Sequence, residues 1–326
     1  MPLLLTEADL ARVLEMRALI PAMREALRRF SSGDVVQPVR STLRIEPAGG
    51  YYAPMPAYLR DGRGGALGLK SVAFFPGNAG ARPTHLATVL LLDPATGELL
   101  ALLDGRLITE MRTAAVTAVS VELLARPDAR RLAMLGSGVQ ARSHLRALAL
   151  VRPPASVRVW SPTAEHARRF AREMADEAAC PIEPAASVAE AVAGADIVVA
   201  VTSARKPVLE GAHLEPGMHV CAVGASTPDR RELDAEAVAR CRVFVDSRAA
   251  ARIEAGDLLM AEAEGRVGAD HVVAELGEVA AGAPGRGGPE EITLFKSLGL
   301  AVEDVASARL ACERARELGI GTTVAL

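Results

Sequence analysis

Arg131-Leu132-Ala133-Met134-Leu135-Gly136-Ser137-Gly138-Val139-Gln140, followed by Ala141, is the stretch whose reading decides the fold. Residues 132–135 are an apolar run of strand length. Gly136 to Ala141 form a G-x-G-x-x-A turn that opens a helical pattern. In such a turn the first glycine bends the chain, and the second lets backbone approach a pyrophosphate. The alanine lets the helix pack close to the strand, and the helix N-terminus favours the phosphate charge. The same six residues could also close an ordinary strand–helix turn, so the surroundings decide. Strand-like runs at 157–160, 197–201, 219–223 and 243–245 alternate with helical runs at 164–178, 188–193 and 234–239. That alternation predicts a doubly wound parallel sheet over residues 130–250 carrying a dinucleotide site.

On the N-terminal side, Thr6-Glu7-Ala8-Asp9 has the spacing of a helix cap with an acid at the third position. Helices are expected over 7–14 and 16–31, the second with Ile20, Met23, Leu27 and Phe30 on a core face. Between residues 37 and 103 the period changes to that of strands. Turns fall at Gly49-Gly50, Gly62-Arg63-Gly64-Gly65 and Asp93-Pro94-Ala95-Thr96-Gly97, which predicts an antiparallel or mixed sheet of about six strands. A long Ala-rich helix over 109–125 would lead into the nucleotide-binding part. After the Gly/Pro-rich loop at 282–288, an amphipathic helix over 298–318 is expected to pack back on the first domain.

A chain of 326 residues, half of them hydrophobic, suits about two domains with a sizeable core. The net charge of −3, with acids and bases interspersed, gives no sign of a nucleic-acid or membrane-surface partner. Cys180, Cys221, Cys241 and Cys312 are scattered, without a C-x-x-C pair. They read as reduced thiols of a cytoplasmic protein, and no metal site is expected. Met1-Pro2-Leu3-Leu4-Leu5 has neither a basic region nor a long apolar run, so neither a secretory signal nor a membrane span is expected.

Lys70 interrupts an apolar strand (Ala66, Leu67, Leu69, Val72, Ala73), where an ammonium is costly unless paired or functional. The alternative is a lysine that snorkels from an edge strand. Arg112, in Thr109-Glu110-Met111-Arg112-Thr113, falls near the expected start of a helix. A cation opposes the dipole there unless an anion binds; otherwise it is a surface arginine beside Glu110. Arg40 and Arg44, four apart on one expected strand, would share a face, and either could clamp a carboxylate. A solvated face is the alternative for at least one of them. Ser161 stands at the end of the second strand of the nucleotide fold, where an acid would select NAD. Its absence, with Arg168-Arg169 one turn on, leans towards NADP(H). His85, after Thr84, is either a cofactor contact or structural.

These residues fall inside longer strings. Gly68-Leu69-Lys70-Ser71, Thr109 to Ala115, Leu135 to Ala141, Ala222-Val223-Gly224-Ala225-Ser226, Ala274 to Glu278 and Thr293 to Gly299 together resemble the ornithine cyclodeaminase/mu-crystallin family. The resemblance covers nearly the whole chain in order. It implies a homodimer with an α/β fold. A Rossmann-type dinucleotide-binding domain (123–295) would be inserted in an α+β substrate-binding and dimerisation domain (1–122 plus 296–326). It also implies that Lys70 and Arg112 lie beside the substrate and that Arg40 helps hold its carboxylate. Thr84, His85, Arg112, Gly136, Ser137, Gly138, Val139, Gln140, Ser161, Thr163, Thr202, Val223 and Ser297 would line the cofactor.

Within the family, cyclodeaminases carry an Asp where this chain has Ser226, and a Glu two residues before the Met of a Met-Pro turn. Here Ala53 precedes Met55-Pro56 at that position. Without both acids a diamino acid's second ammonium would be desolvated with no counter-charge. The run from Val223 to Leu233 is instead similar to the ketimine-reductase branch. Pro162 departs from that branch, which places an Arg there for the 2′-phosphate. The resemblance therefore implies NADPH- or NADH-dependent reduction of a small cyclic imino acid, Δ1-pyrroline-2-carboxylate or Δ1-piperideine-2-carboxylate, to L-proline or L-pipecolate. Lys70 would supply the proton. Ornithine cyclodeamination, amino-acid dehydrogenation and cofactor-dependent ligand binding are the rival activities.

Overall fold

The computed structural model describes residues 1–62, 64–78 and 80–325; Arg63, in the expected turn at 62–65, lies outside the described residues. The chain begins with β1 (Leu3–Leu5), α1 (Glu7–Val13), α2 (Met16–Ser31), β2 (Val35–Val36), β3 (Leu43–Ile45), β4 (Gly50–Leu59), β5 (Ala66–Phe74), β6 (His85–Leu92), β7 (Leu99–Asp104) and α3 (Gly105–Leu124). It continues through β8 (Arg131–Leu135), α4 (Val139–Val151), β9 (Ser156–Trp160), α5 (Ala164–Ala178), β10 (Ile182–Pro184), α6 (Val188–Val192), β11 (Ile197–Ala200) and β12 (His219–Ala222). Then come α7 (Ala235–Arg240), β13 (Arg242–Val245), α8 (Arg248–Glu254), α9 (Gly256–Ala263), β14 (Val272–Glu275), α10 (Leu276–Ala280), β15 (Thr293–Lys296), α11 (Ala301–Leu318) and β16 (Thr322–Thr323). Two compact units result: Met1–Arg112 with Leu300–Leu326, and Thr113–Gly299.

The first unit holds a mixed sheet in the order β16-β1-β7-β6-β5-β4-β2, with β3 also on β4. Only β1 and β7 run parallel in it, among the described residues. The sheet exceeds the expected six strands because β1 and β16 are too short to show a strand period. Its two faces differ. Met55, Lys70, Val89, Leu103 and Leu5 lie in one cross-strand row and are all buried; α11 lies on β4, β5 and β6 and packs against α2. Gly68 permits that approach, because a Cβ there would sit 2.9 Å from Val305 Cγ2 and 2.6 Å from Leu90 O. The neighbouring row, Pro56, Leu69, Leu90, Leu102 and Leu4, points to the opposite face and stays partly or wholly exposed.

Two sequence expectations change here. Met55-Pro56 lies inside β4, not in a turn. β2 and β3 pair only with the two ends of β4, so its middle is an open edge that tolerates Pro54 and Pro56. The expected strand through Arg40 and Arg44 shrinks to β3, because only residues 43–45 find partners on β4. Arg40 precedes it in irregular chain and does not share a strand with Arg44. At the N-terminus the cap forms as expected: Thr6 Oγ1 accepts from Asp9 N at 3.3 Å, and Asp9 Oδ2 accepts from Thr6 N at 3.0 Å.

The second unit is a parallel sheet in the order β10-β9-β8-β11-β12-β15-β13-β14. β11, β12 and β15 are buried at every residue, as strands covered on both faces must be. The strand order reverses between β8 and β11. In open α/β sheets that switch point, beyond the carboxyl ends of the strands, is where ligands bind. β15 enters between β12 and β13. Sequence reading overlooks it because Thr293-Leu294-Phe295-Lys296 is short and ends in a charge.

Candidate functional site

Lys70 is central to β5, not on an edge, and only 2% exposed, so it does not snorkel. Its ammonium donates to Asp304 Oδ1 at 3.0 Å. Asp304 lies on the first turn of α11 and is itself fully buried. Burial pulls Lys70 down from the ordinary lysine range. Asp304 opposes this, the Arg112 and Arg40 charges add to it, and the balance falls at about 8. The structure thus brings Lys70, Arg112 and Arg40 within electrostatic reach of one another.

Arg112 is not at a helix start. Asp104 Oδ1 caps α3 by accepting from Arg106 N at 3.0 Å and Leu107 N at 3.1 Å. Arg112 therefore lies about two turns into the helix, beyond the reach of the terminal dipole. Nor is it a surface residue: 6% exposed, it donates from Nη1 to Glu303 Oε2 at 2.7 Å and from Nε to Asp304 Oδ1 at 3.2 Å. Asp304 Oδ1 is shared by Lys70 and Arg112, while no donor among the described residues reaches Asp304 Oδ2. Glu303 and Asp304 were missed by sequence reading. The available signal was an acidic pair set among the apolar residues Val302, Val305 and Ala308 of α11. Ala53 is fully buried on β4, pairs with Val72 and faces the same side as Met55 and Lys70. The side chain at this buried position on β4 is therefore a methyl group, not an acid.

In the second unit Gly136 has φ +115°, and a Cβ there would meet Val201 O at 2.7 Å. Only glycine makes this turn without strain. Around Gly138 the space is open, Ala141 is fully buried, and no side chain caps the N-terminus of α4. Ser137 is buried, Val139 is exposed, and Gln140 Oε1 has no donor among the described residues. An open glycine beside an uncapped helix N-terminus fits a pyrophosphate. Behind it His144, fully buried and pushed down to about 4 by burial, joins Gln140 O to Thr117 Oγ1 and braces α4 against α3.

Ser161, buried, and Thr163, exposed, follow β9, where a ribose partner belongs. Arg168 and Arg169, the cations one turn on, are engaged by Glu165 at 2.9 Å and by Glu173 at 3.7 Å. Val223 follows β12, and its N–H donates to Ala200 O at 2.9 Å. Ser297 follows β15 and donates its N–H to Ala222 O at 3.0 Å. Thr202 Oγ1 is occupied twice, donating to Glu232 at 2.8 Å and accepting from Ala204 N at 3.2 Å. Ser226 is half-buried in the loop after β12. In the first unit, Thr84 O accepts from Phe75 N at 2.9 Å, and the exposed His85 ring lies 4.6 Å from that of Phe74. Among the described residues no group of three or more His, Cys, Asp or Glu could hold a metal, and no helix is long and apolar enough to cross a membrane.

The profile of the ornithine cyclodeaminase/mu-crystallin family matches residues 1–319. The ketimine reductase mu-crystallin of Macropus fuliginosus is 42% identical over 316 residues, covering 95% of this chain and 96% of that one. Among solved structures, the Delta(1)-pyrroline-2-carboxylate reductase of Thermococcus litoralis, in complex with NADH and L-proline, superposes with a TM-score of 0.96 at 39% identity. It covers 99% of this chain and 100% of that one. An archaeal alanine dehydrogenase dimer with bound NAD superposes at 0.94 and 32% identity, covering 100% and 99% of the two chains.

Proposed function

The chain belongs to the ornithine cyclodeaminase/mu-crystallin family, and from that premise we propose that it reduces cyclic ketimines. The substrate is Δ1-pyrroline-2-carboxylate or Δ1-piperideine-2-carboxylate, and the product L-proline or L-pipecolate. The observation that carries this reading is the buried Lys70, held by Asp304 beside Arg112 and pulled to about 8. A group titrating near neutral pH can both hold and release a proton, which is what a C=N bond needs as its carbon becomes saturated.

Arg112 and Arg40 bind and orient the substrate carboxylate. Lys70 Nζ hands its proton to the imine nitrogen, and solvent restores it. When bound, a nicotinamide coenzyme would supply the hydride for the imine carbon. Gly136, Ser137, Gly138, Val139 and Gln140 would hold its pyrophosphate, and Ser161 and Thr163 its adenosine ribose. Thr202, Val223 and Ser297 shape its nicotinamide end. Thr202 does so through its backbone, since its hydroxyl is already engaged. Thr84 and His85 supply further coenzyme contacts. Ser226 and Ala53 leave the ring's distal carbons without a counter-charge, which suits an uncharged ring.

For the coenzyme, the serine closing β9 admits a 2′-phosphate as readily as a hydroxyl. NADPH is proposed as the preferred partner, drawing Arg168 or Arg169 from its exposed acid pair. The uncovered row Leu4, Leu102, Leu90, Leu69 and Pro56 is an apolar sheet face, proposed as the surface on which a second copy docks to form a homodimer. Four unpaired thiols suit the cytoplasm.

The deciding experiment follows loss of nicotinamide absorbance with each cyclic imine, with NADPH and NADH in parallel. Rapid oxidation with one ring size is the expected result, and a higher kcat/KM with NADPH supports the coenzyme assignment. No oxidation, with ammonia released from ornithine instead, overturns the reading in favour of cyclodeamination.

A further inference from the structure

We propose that Glu232 is a positioning residue for the coenzyme site, stitching the outgoing ends of β11 and β12 into one rigid edge that Asp257 and Lys296 lock in place. The inference rests on the reading of these strand ends as the nicotinamide end of the site, and adds residues which that reading does not use.

The strand ladder runs out at this edge. Val201 N still bonds Leu135 O, and Val223 N still bonds Ala200 O. One residue further on, Thr202 N and Gly224 N turn instead to a single side chain. Glu232 Oε1 accepts from Thr202 N at 2.6 Å and from Thr202 Oγ1 at 2.8 Å, and Oε2 accepts from Gly224 N at 2.6 Å. Buried N–H groups need a partner, and one carboxylate supplies it to both strands. The two ends are packed backbone on backbone, since a Cβ on Gly224 would overlap Thr202 O.

Glu232 is in turn fixed from behind. Asp257 Oδ1 accepts from the Glu232 and Leu233 N–H groups at 2.7 and 2.9 Å. Asp257 Oδ2 pairs with Lys296 Nζ at 2.8 Å, and Lys296 also donates to Ala225 O. All three charged side chains are fully buried. Such a group is not a cheap route to stability, because apolar residues of similar volume would serve as well. What it fixes is geometry: Thr202 is a node of the network, Val223 adjoins Gly224, and Ser297 adjoins Lys296. The three residues assigned to the nicotinamide end are therefore set by one set of bonds. A carboxylate is required, since in Glu232→Gln an amide N–H would face the Gly224 N–H, donor against donor.

The test measures NADH binding to Glu232→Gln without substrate, by quenching of Trp160, the chain's single tryptophan. It ends β9, and its carbonyl accepts from Gly136 N at 2.9 Å, so it adjoins the glycine turn. The thermal midpoint and steady-state constants are recorded alongside. We expect the NADH Kd to rise about tenfold and kcat to fall, with the KM for the imine unchanged. A lowered thermal midpoint with the NADH Kd of the folded protein unaltered means a structural role alone and overturns the proposal. Should Glu232→Gln not fold, Thr202→Val, which loses the hydroxyl's bonds to Glu232 and to Ala204 N but keeps the Thr202 N–H bond to Glu232, decides. A rise of about threefold in Kd is expected, and no rise overturns the proposal. Because binding is read without an imine, a wild-type protein that binds NADH but reduces neither ring fails the reaction assignment and leaves this one standing.

Discussion

Each unit of this protein buries a lysine against an aspartate, and the two pairs are finished differently. Lys296 lies in ion-pair contact with Asp257 Oδ2 and donates to the Ala225 carbonyl, while Asp257 Oδ1 and the Glu232 carboxylate each accept from two backbone N–H groups. Lys70 has Asp304, but shares the same oxygen with Arg112, and the other oxygen of Asp304 has no donor among the described residues. The first arrangement ties its carboxylates to backbone N–H groups and spends its charges on shape. The second holds its aspartate between two cations, with Arg112 and Arg40 acting on Lys70, and its lysine is drawn into the range where protons exchange near neutral pH. A buried ion pair by itself therefore says little about function; whether its charges are tied to backbone or to further ionisable side chains says more.

The comparison breaks most easily at the two lysines. Lys70→Met removes the proton donor and should lower kcat about 10²–10⁴-fold, with NADH binding unchanged in a fluorescence titration. Retained turnover would remove Lys70 from the reaction. Lys296→Met should act on the fold instead. It leaves Asp257 buried without its partner, which costs about 3–5 kcal/mol and should appear as a lower denaturation midpoint. The pH dependence of whatever activity remains should keep its alkaline limb. A limb that moves in Lys296→Met would mean that the second cluster also titrates in the reaction.

The two clusters were not equally legible in the sequence. Lys70 announced itself because an ammonium in an apolar strand violates the pattern around it. Its counter-ion Asp304, 234 positions later, sits beside Glu303, the partner of Arg112, on a helix, and only their place among that helix's apolar residues separates them from solvated acids. Arg112 was recognised but misplaced: the helix starts at Gly105, capped by Asp104, so the dipole argument applied to the wrong turn. The turn Gly136–Ala141 was readable because its backbone demands are local, and φ +115° at Gly136 meets them. Glu232, Asp257 and Lys296 carried no local sign. Their meaning comes from β15 entering between β12 and β13, a topological event that periodicity does not encode. The parallel core was legible as a class, and β10, β14 and β15 were not resolved because a charge (Glu183, Glu275, Lys296) falls inside each short run and breaks its apolar pattern.

The finest test of the comparison is Asp304→Asn. In the intact protein Lys70 titrates at about 8, so a reaction that needs its ammonium should run with a level kcat/KM below that pH and lose rate as pH rises through it. Asp304 is the partner that holds the ammonium up, against burial and the charges of Arg112 and Arg40. Replacing the carboxylate by an amide removes the opposing influence and leaves the others, so the pKa must fall and the alkaline limb should move to lower pH, by roughly one unit or more. At neutral pH the variant is then partly deprotonated, and slower for that reason alone, while acidification restores its rate. Recovery at low pH separates a lost counter-ion from a damaged site, which no pH would repair. A limb that stays at about 8 in Asp304→Asn would assign the titration to another group.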